Sequence, residues 1–112
     1  MNAWIFPEGI DYRQFTETNI KQYCYDEPLK DKGDILFFLK HFSDQAIISG
    51  KKLIDPINGK VFSTHSEYYQ LKGLEWSNAA TYFFEKYDVI LNDDFLKKIR
   101  KILKNRSFQL YD

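Results

Sequence analysis

The chain has 112 residues, the length of one ordinary domain, with 44% hydrophobic residues, 29% charged residues and no formal net charge. This composition excludes a chain that is disordered throughout or embedded in a membrane. The longest apolar run, residues 35–39, cannot cross a bilayer and the first residues lack a signal-peptide pattern, so we expect a single compact domain over residues 1–112, located in the cytoplasm.

The first third of the chain predicts short elements. An apolar run at residues 3–6 is stopped by Pro7, which favours a short strand or an extended arm. Apolar spacing then predicts a modest helix over about residues 15–23. The single cysteine, Cys24, excludes an internal disulfide, and it lies between two tyrosines without a paired histidine, so we expect a structural thiol.

Asp34 is placed to cap a second helix, which we predict to run to Ser49 and to end at Gly50. Its apolar residues cover much of the helix circumference, so we expect it to be the most buried helix. After it, residues 51–63 predict a β-hairpin. Asn58 and Gly59 accept positive φ at little steric cost, and short apolar strands flank them.

Three further helices are predicted beyond the hairpin. Ser63 or Thr64 is placed to cap a short helix through Leu71, with Glu67 answering the cap and Gly73 ending the helix. The next helix starts from a Ser77 cap, and the last covers residues 92–106. A C-terminal strand over residues 108–111 is a further option. The sequence therefore predicts an α+β, helix-dominated fold with about four to five helices and a β-hairpin near residues 51–63.

Charge is distributed unevenly along this neutral chain. Residues 1–96 carry ten positive and fifteen negative charges, whereas residues 97–112 carry six positive and one negative. The basic residues fall on the last predicted helix, opposite its apolar stripe, which is typical of a solvated face. The alternative is nucleic-acid binding by this C-terminal basic helix, in which Lys97, Lys98 and Lys101 would contact phosphates.

No motif assembles a catalytic or cofactor site. His41 and His65 are the only histidines, and they would have to serve as acid and base of a metal-independent nuclease, although nothing in their spacing supports it. Metal-ligand motifs are absent, and the five glycines are scattered rather than clustered around a phosphate. We therefore expect no enzyme activity, no cofactor and no metal.

Surface recognition remains, and twenty aromatic residues favour it. Tyrosine and tryptophan framed by carboxylates suit a basic protein partner, with the rings as anchors and the acids steering the encounter. The alternative is that Trp76 and one tyrosine complete the core. The first predicted partner site consists of Glu67, Tyr68, Tyr69, Glu75 and Trp76. A second, acidic candidate patch consists of Asp26, Glu27, Asp31 and Asp34.

A small chain with an acidic body, many Lys, Asn, Ile, Tyr and Phe residues and no catalytic motif resembles the immunity proteins that bacteria encode beside polymorphic or contact-dependent growth-inhibition toxins. The resemblance lies in general character and transfers no functional residue. It implies a cognate toxin domain, often a nuclease, that is neutralised by stoichiometric occlusion. A nucleic-acid partner is not expected under this interpretation.

Overall fold

The computed structural model describes residues 2–41 and 46–106. Three α-helices lie within these ranges: α1 Lys32–His41, α2 Asn78–Tyr87 and α3 Asp93–Arg106. Two short 3₁₀ helices, Tyr12–Gln14 and Ile20–Tyr23, precede α1. The described strands are β1 Ala3–Trp4, β2 Ala46–Ser49, β3 Leu53–Ile54, β4 Val61–Ser63, β5 Ser66–Leu71 and β6 Leu74–Ser77.

The main sheet has four strands in the order β1-β6-β5-β2. β1 runs parallel to β6, whereas the β6-β5 and β5-β2 pairs are antiparallel, so the sheet is mixed. A separate two-stranded sheet joins β3 to β4. The helices cover one side of the main sheet, where Trp76 packs against Phe38 of α1. No helix in the described ranges is long and apolar enough to cross a membrane.

The prediction of a helix-dominated fold with four to five helices is wrong. The fold is α+β, but the described residues hold three α-helices, and strands occupy two segments that were predicted to be helical. The predicted helix over residues 15–23 is also reduced to the 3₁₀ helix Ile20–Tyr23. The strand predicted over residues 108–111 lies outside the described residues.

The segment predicted as a capped helix ending at Gly73 is instead the hairpin β5-β6. Lys72 and Gly73 both have positive φ, 50° and 83°, and form the two residues between Leu71 and Leu74. Such a pair matches the twist of antiparallel strands and so closes a tight hairpin. The alternation from Glu67 to Leu71 then places successive side chains on opposite faces.

The helix predicted over residues 34–49 ends early. α1 stops at His41, and Ala46–Ser49 forms β2, which pairs with β5 so that Ile47 lies opposite Tyr68. Ile47 and Ile48 are β-branched, and such side chains favour strands because their χ1 angles are restricted in helices. Pairing with β5 therefore overrides the helical spacing of the apolar residues.

Local signals elsewhere correspond to the observed elements. β3 pairs with β4 inside residues 51–63, and Gly59 has φ of 73° in the turn. Ser77 Oγ accepts a hydrogen bond from the Ala80 backbone N–H at 3.1 Å and caps α2. Asn92 Oδ1 accepts from the backbone N–H groups of Asp94 and Phe95 at the start of α3. These three predictions are confirmed.

Candidate functional site

β5 and β6 carry the first predicted partner site, and their strand geometry divides it. Successive side chains of a strand point to opposite sides of its sheet. Tyr68 and Glu75 lie on the side away from the helices, whereas Glu67, Tyr69 and Trp76 lie on the side that faces them. The predicted site is therefore two separate surfaces.

Trp76 belongs to the core, which corrects its place in the predicted partner site. Its side chain is fully buried, and its Nε1–H donates to the Leu39 carbonyl oxygen at 3.1 Å. The ring centroid lies 5.8 Å from that of Phe38. With both its ring and its polar atom used internally, Trp76 offers nothing to a partner at the surface. The alternative was that Trp76 and one tyrosine complete the core, and its Trp76 part is confirmed.

On the side of the main sheet away from the α-helices, we call one group of side chains the outer face: Trp4, Ile47, Tyr68, Gln70 and Glu75. The strand register also places three serines on this side, Ser49, Ser66 and Ser77. The rings of Trp4 and Tyr68 are stacked, with centroids 6.0 Å apart and planes inclined by 12°. Ile47, the register partner of Tyr68, is 72% exposed. Burial, followed by a hydrogen bond with the Glu75 carboxylate, raises the pKa of Tyr68. The outer face thus combines aromatic and aliphatic surface with one carboxylate.

A cleft of about 410 Å³ adjoins the outer face and shares Trp4 with it. The Arg13 guanidinium at this cleft pairs with Asp11 at 2.9 Å, and hydrogen bonds from Arg13 lower the pKa of Asp11. Lys51 also lines the cleft and is exposed. Cations and aromatic rings therefore meet beside the outer face.

On the opposite side of β5, the Glu67 carboxylate is held by two neighbours. His65 Nε2 lies 3.1 Å from Glu67 Oε1, and the Tyr69 hydroxyl donates to Glu67 Oε2. Burial, followed by this hydrogen bond, raises the pKa of Tyr69 well above its ordinary value. The backbone N–H of Glu67 donates to Asn78 Oδ1 at 2.9 Å, which ties the strand to α2. These contacts fix the orientation of the carboxylate.

Glu67 and Tyr69 line a cleft of about 320 Å³ that we call the inner cleft. At its rim Lys40 Nζ lies 2.6 Å from Glu85 Oε2, and both side chains are close to half exposed. The inner cleft is lined by Leu39 and Lys40 of α1, Phe62 and Ser63 of β4, Glu67 and Tyr69 of β5, and Asn78, Thr81, Tyr82 and Glu85 of α2.

The second acidic patch is only partly available. Asp26, Glu27 and Asp34 are exposed. Asp31 instead accepts two hydrogen bonds from Arg100 of α3, at 2.8 and 3.1 Å. These hydrogen bonds are the main reason why the pKa of Asp31 is lowered. The ion pair between Asp31 and Arg100 therefore connects α3 to the start of α1, and the negative charge of Asp31 is already balanced by Arg100.

Four basic residues of α3 are exposed, namely Lys97, Arg100, Lys101 and Lys104, and Lys98 is partly exposed. Phe95 and Ile99 are fully buried on the other side of the helix. Arg100 is paired with Asp31, and Lys98 Nζ lies 3.5 Å from Asp94 Oδ2. This arrangement supports a solvated helix face over a phosphate-binding one.

The two histidines contact different elements. The ring centroid of His41 lies 4.5 Å from that of Phe37 on α1, whereas His65 contacts Glu67, so no described contact joins them. The Cys24 thiol donates to the Ile20 carbonyl oxygen, and burial raises its pKa, which disfavours a reactive thiolate. Residues 2–41 and 46–106 gather no group of three or more metal-ligating side chains.

Sequence reasoning missed Trp4 and Ile47 on the outer face and Tyr82 and Glu85 at the inner cleft. The available signal was the period-two alternation of residues 66–71, followed by a two-residue turn containing glycine. No local pattern links Trp4 to Tyr68, because their contact depends on strand pairing across the sheet. Comparison with protein family models, with curated proteins and with solved structures finds no match to this chain.

Proposed function

We propose that this chain is a non-enzymatic cytoplasmic binding protein that neutralises a toxin domain by covering it in a one-to-one complex. The toxin class of the partner follows from the resemblance to bacterial immunity proteins. The proposal that the chain binds a protein is supported by the outer face, and we assign the contact to that surface.

The observation that carries the proposal is the cluster of Trp4, Tyr68 and Ile47 on an open sheet face. Large aromatic residues with a polar atom are enriched where protein surfaces meet, and they dominate the free energy of binding. Trp4 is 36% exposed and stacked on Tyr68, so both rings are already oriented before a partner arrives. Preorganised rings lose little conformational entropy on binding.

The position of β2 adds to this surface. β2 is the last strand in the sheet order, and within the described residues nothing pairs with its outer edge. Ile47 and Ile48 are 72% and 64% exposed, without the charged or proline residues that usually protect an edge strand. A partner that covers the outer face would therefore shield Ile47, whereas Ile48 lies opposite Glu67 on the other side of the sheet and would be shielded only by a partner that also covers this edge.

The two alternative functions have less support. Binding of nucleic acid by α3 was predicted to use Lys97, Lys98 and Lys101. Lys97 and Lys101 are exposed, but Lys98 approaches Asp94 and the neighbouring Arg100 is paired with Asp31, which reduces the positive charge of this face. A nuclease would need His41 and His65 to act on one phosphate, but they contact different elements. Both alternatives are tested by incubating the protein with RNA and DNA between pH 5 and 8 and measuring cleavage and retention.

The decisive experiment is calorimetric titration of the purified protein against the toxin-like domain encoded beside its gene. We expect one-to-one binding. Replacing Ile47 with serine or Tyr68 with alanine should weaken it at least about tenfold, because each change removes apolar contact from the outer face.

The matched control is Ile54→Ser. Ile54 is also an exposed isoleucine in a short strand, but it belongs to the separate β3-β4 sheet, so its replacement should leave the affinity unchanged. Absence of binding by the unmodified protein would overturn the proposed function. Equal losses for Ile47→Ser and Ile54→Ser would reject the outer face as the contact surface.

A further inference from the structure

The hydrogen-bonding groups that line the inner cleft determine which ligands it can bind. Six of its lining side chains carry polar hydrogens: Lys40, Ser63, Tyr69, Asn78, Thr81 and Tyr82. A ligand that needs donors from the protein would depend on these groups. Their existing partners therefore decide what the cleft can bind.

The hydroxyl hydrogens are all donated inside the protein. Ser63 donates to the His65 carbonyl oxygen at 2.7 Å, and Thr81 donates to the Ser77 carbonyl oxygen at 2.9 Å. Tyr69 donates to Glu67. Tyr82 donates to the buried Asp55 carboxylate at 2.7 Å.

The Asn78 amide is also fully engaged. Its Nδ2 donates to Ser63 Oγ at 3.3 Å and to the His65 carbonyl oxygen at 3.0 Å, which uses both of its hydrogens. Among the described residues that line the cleft, Lys40 is thus the only side chain with N–H groups to spare, and it pairs with Glu85. Apart from Lys40, the polar side chains of the described lining residues offer a ligand acceptor oxygens and no hydrogen-bond donor. Ser63 Oγ is not among these acceptors, because it already accepts from Asn78 Nδ2 and from the His65 backbone N–H.

The acceptors of the inner cleft include two carboxylates. Glu67 is fixed by His65 and Tyr69, and its oxygens retain lone pairs because a carboxylate accepts more than two hydrogen bonds. Glu85 lies at the rim beside Lys40. With two carboxylates against one ammonium, the described lining residues carry a net charge of −1, which favours cations over anions.

Aromatic rings complete the lining. Phe62 and Tyr82 are stacked, with centroids 3.9 Å apart and planes inclined by 7°. A cation already lies near this pair, since Lys86 Nζ is 5.6 Å from the Tyr82 ring centroid. Rings of this kind attract guanidinium and ammonium groups through their negative faces.

We propose that the inner cleft binds the guanidinium group of an arginine side chain supplied by a protein partner. Five N–H donors on a planar group match a site that offers two carboxylates, hydroxyl lone pairs and aromatic rings. This inference rests on the proposed function in one respect, namely that a protein supplies the cation. It adds a second contact surface on the side of the sheet opposite the outer face.

The test uses capped arginine, N-acetyl-arginine amide, titrated into ¹⁵N-labelled protein while backbone amide shifts are followed by NMR. We expect saturable shifts at Glu67 and Asn78. The equally capped citrulline has the same shape without the charge, and it should bind at least about tenfold more weakly because charge-assisted hydrogen bonds are lost. Inorganic phosphate should produce no shifts at these residues.

Two substitutions should move the affinity for capped arginine in opposite directions. Glu67→Gln keeps the side-chain shape but removes the charge, and it should weaken binding about tenfold. Lys40→Met removes the resident cation that competes for Glu85, and it should strengthen binding about threefold. A folding defect cannot strengthen binding. An increase in the affinity of Lys40→Met for capped arginine therefore still tests the inference if Glu67→Gln is destabilised.

The matched control is Glu8→Gln, which removes an exposed carboxylate that does not line the inner cleft and should leave the affinity unchanged. Equal binding of arginine and citrulline, or weaker binding by Lys40→Met, would overturn the inference. Because the probe is a single capped residue, failure here leaves the toxin-domain titration unaffected. Failure of that titration with cleft binding intact would reject the toxin partner instead.

Discussion

Asp55 is a buried carboxylate that joins the β3-β4 hairpin to α2. It is fully buried and accepts hydrogen bonds from the hydroxyls of Tyr82 and Tyr87 at 2.7 and 2.6 Å. The backbone N–H of Ile57 donates to its other oxygen at 2.8 Å. Burial opposes ionisation of Asp55, but these hydrogen bonds together outweigh it and lower the pKa of the carboxyl. Several hydrogen-bond donors, rather than a cation, thus stabilise the buried negative charge of Asp55.

Replacing Asp55 with asparagine should lower the free energy of unfolding at neutral pH by about 2–3 kcal/mol, because an amide cannot accept all of these hydrogen bonds. Since the folded pKa is lowered, this stabilisation is present above the unfolded pKa of about 3.9 and is lost as pH falls through the folded pKa. The difference between the two proteins should therefore narrow in acid. Urea denaturation at several pH values measures it.

Asp26→Asn is the control for this measurement, since Asp26 is an exposed carboxylate in a loop. It should change the free energy of unfolding little at any pH. A constant difference between Asp55→Asn and the unmodified protein from neutral to strongly acidic pH would contradict the role of the ionised carboxylate.

At the scale of elements, α3 is specified by its cap and its apolar stripe. Asn92 Oδ1 satisfies two backbone N–H groups at the first turn, and the Asn92 backbone N–H donates to the Ile5 carbonyl oxygen. The cap thus fixes where α3 begins relative to the segment after β1. Phe95 and Ile99 then face the core, while Arg100 reaches Asp31.

We expect Asn92→Ala to lower the free energy of unfolding by about 1 kcal/mol, because two N–H groups lose their side-chain acceptor. Asn92→Ser should restore most of the loss, since a serine hydroxyl also caps a helix. Chemical denaturation of the three proteins measures these differences. Equal stability of Asn92→Ala and the unmodified protein would show that the cap contributes nothing.

At the scale of the whole molecule, charge is separated while the total is zero. The exposed acids Asp26 and Glu27 lie in the loop before α1, and Glu75 lies on the outer face. Opposite charge on a partner accelerates encounter more than it increases affinity. We therefore expect the excess of acidic residues over positions 1–96 to increase the rate at which a basic partner associates.

Charge reversal tests this point, given a toxin domain that binds. Asp26→Lys combined with Glu27→Lys, and separately Glu75→Lys, should slow association at low salt and reduce its salt dependence. The difference from the unmodified protein should vanish at high salt, where charges are screened. Stopped-flow measurements give the rates. Unchanged rates for both variants would reject acidic steering.

Several features of the fold were predictable because their signals lie within a few residues of the chain. Ser77 and Asn92 precede apolar residues at helical spacing, which identified the starts of α2 and α3. Asn58 and Gly59 identified the turn between β3 and β4. Each of these signals acts through local backbone hydrogen bonds or allowed φ values, which do not depend on distant parts of the chain.

Other features were decided by contacts between distant segments. The sequence of β5 is compatible with a capped helix or with a strand, and its pairing with β2 and β6 selects the strand. That choice sends Tyr68 to the outer face and Tyr69 to the inner cleft.

The sequence by itself therefore determined the composition of the domain, two helix caps and one turn. Only the tertiary structure decided which side chains share a surface, because strand pairing aligns residues that are far apart in the chain. The Trp4–Tyr68 stack and the acceptor-lined inner cleft both arise from that alignment.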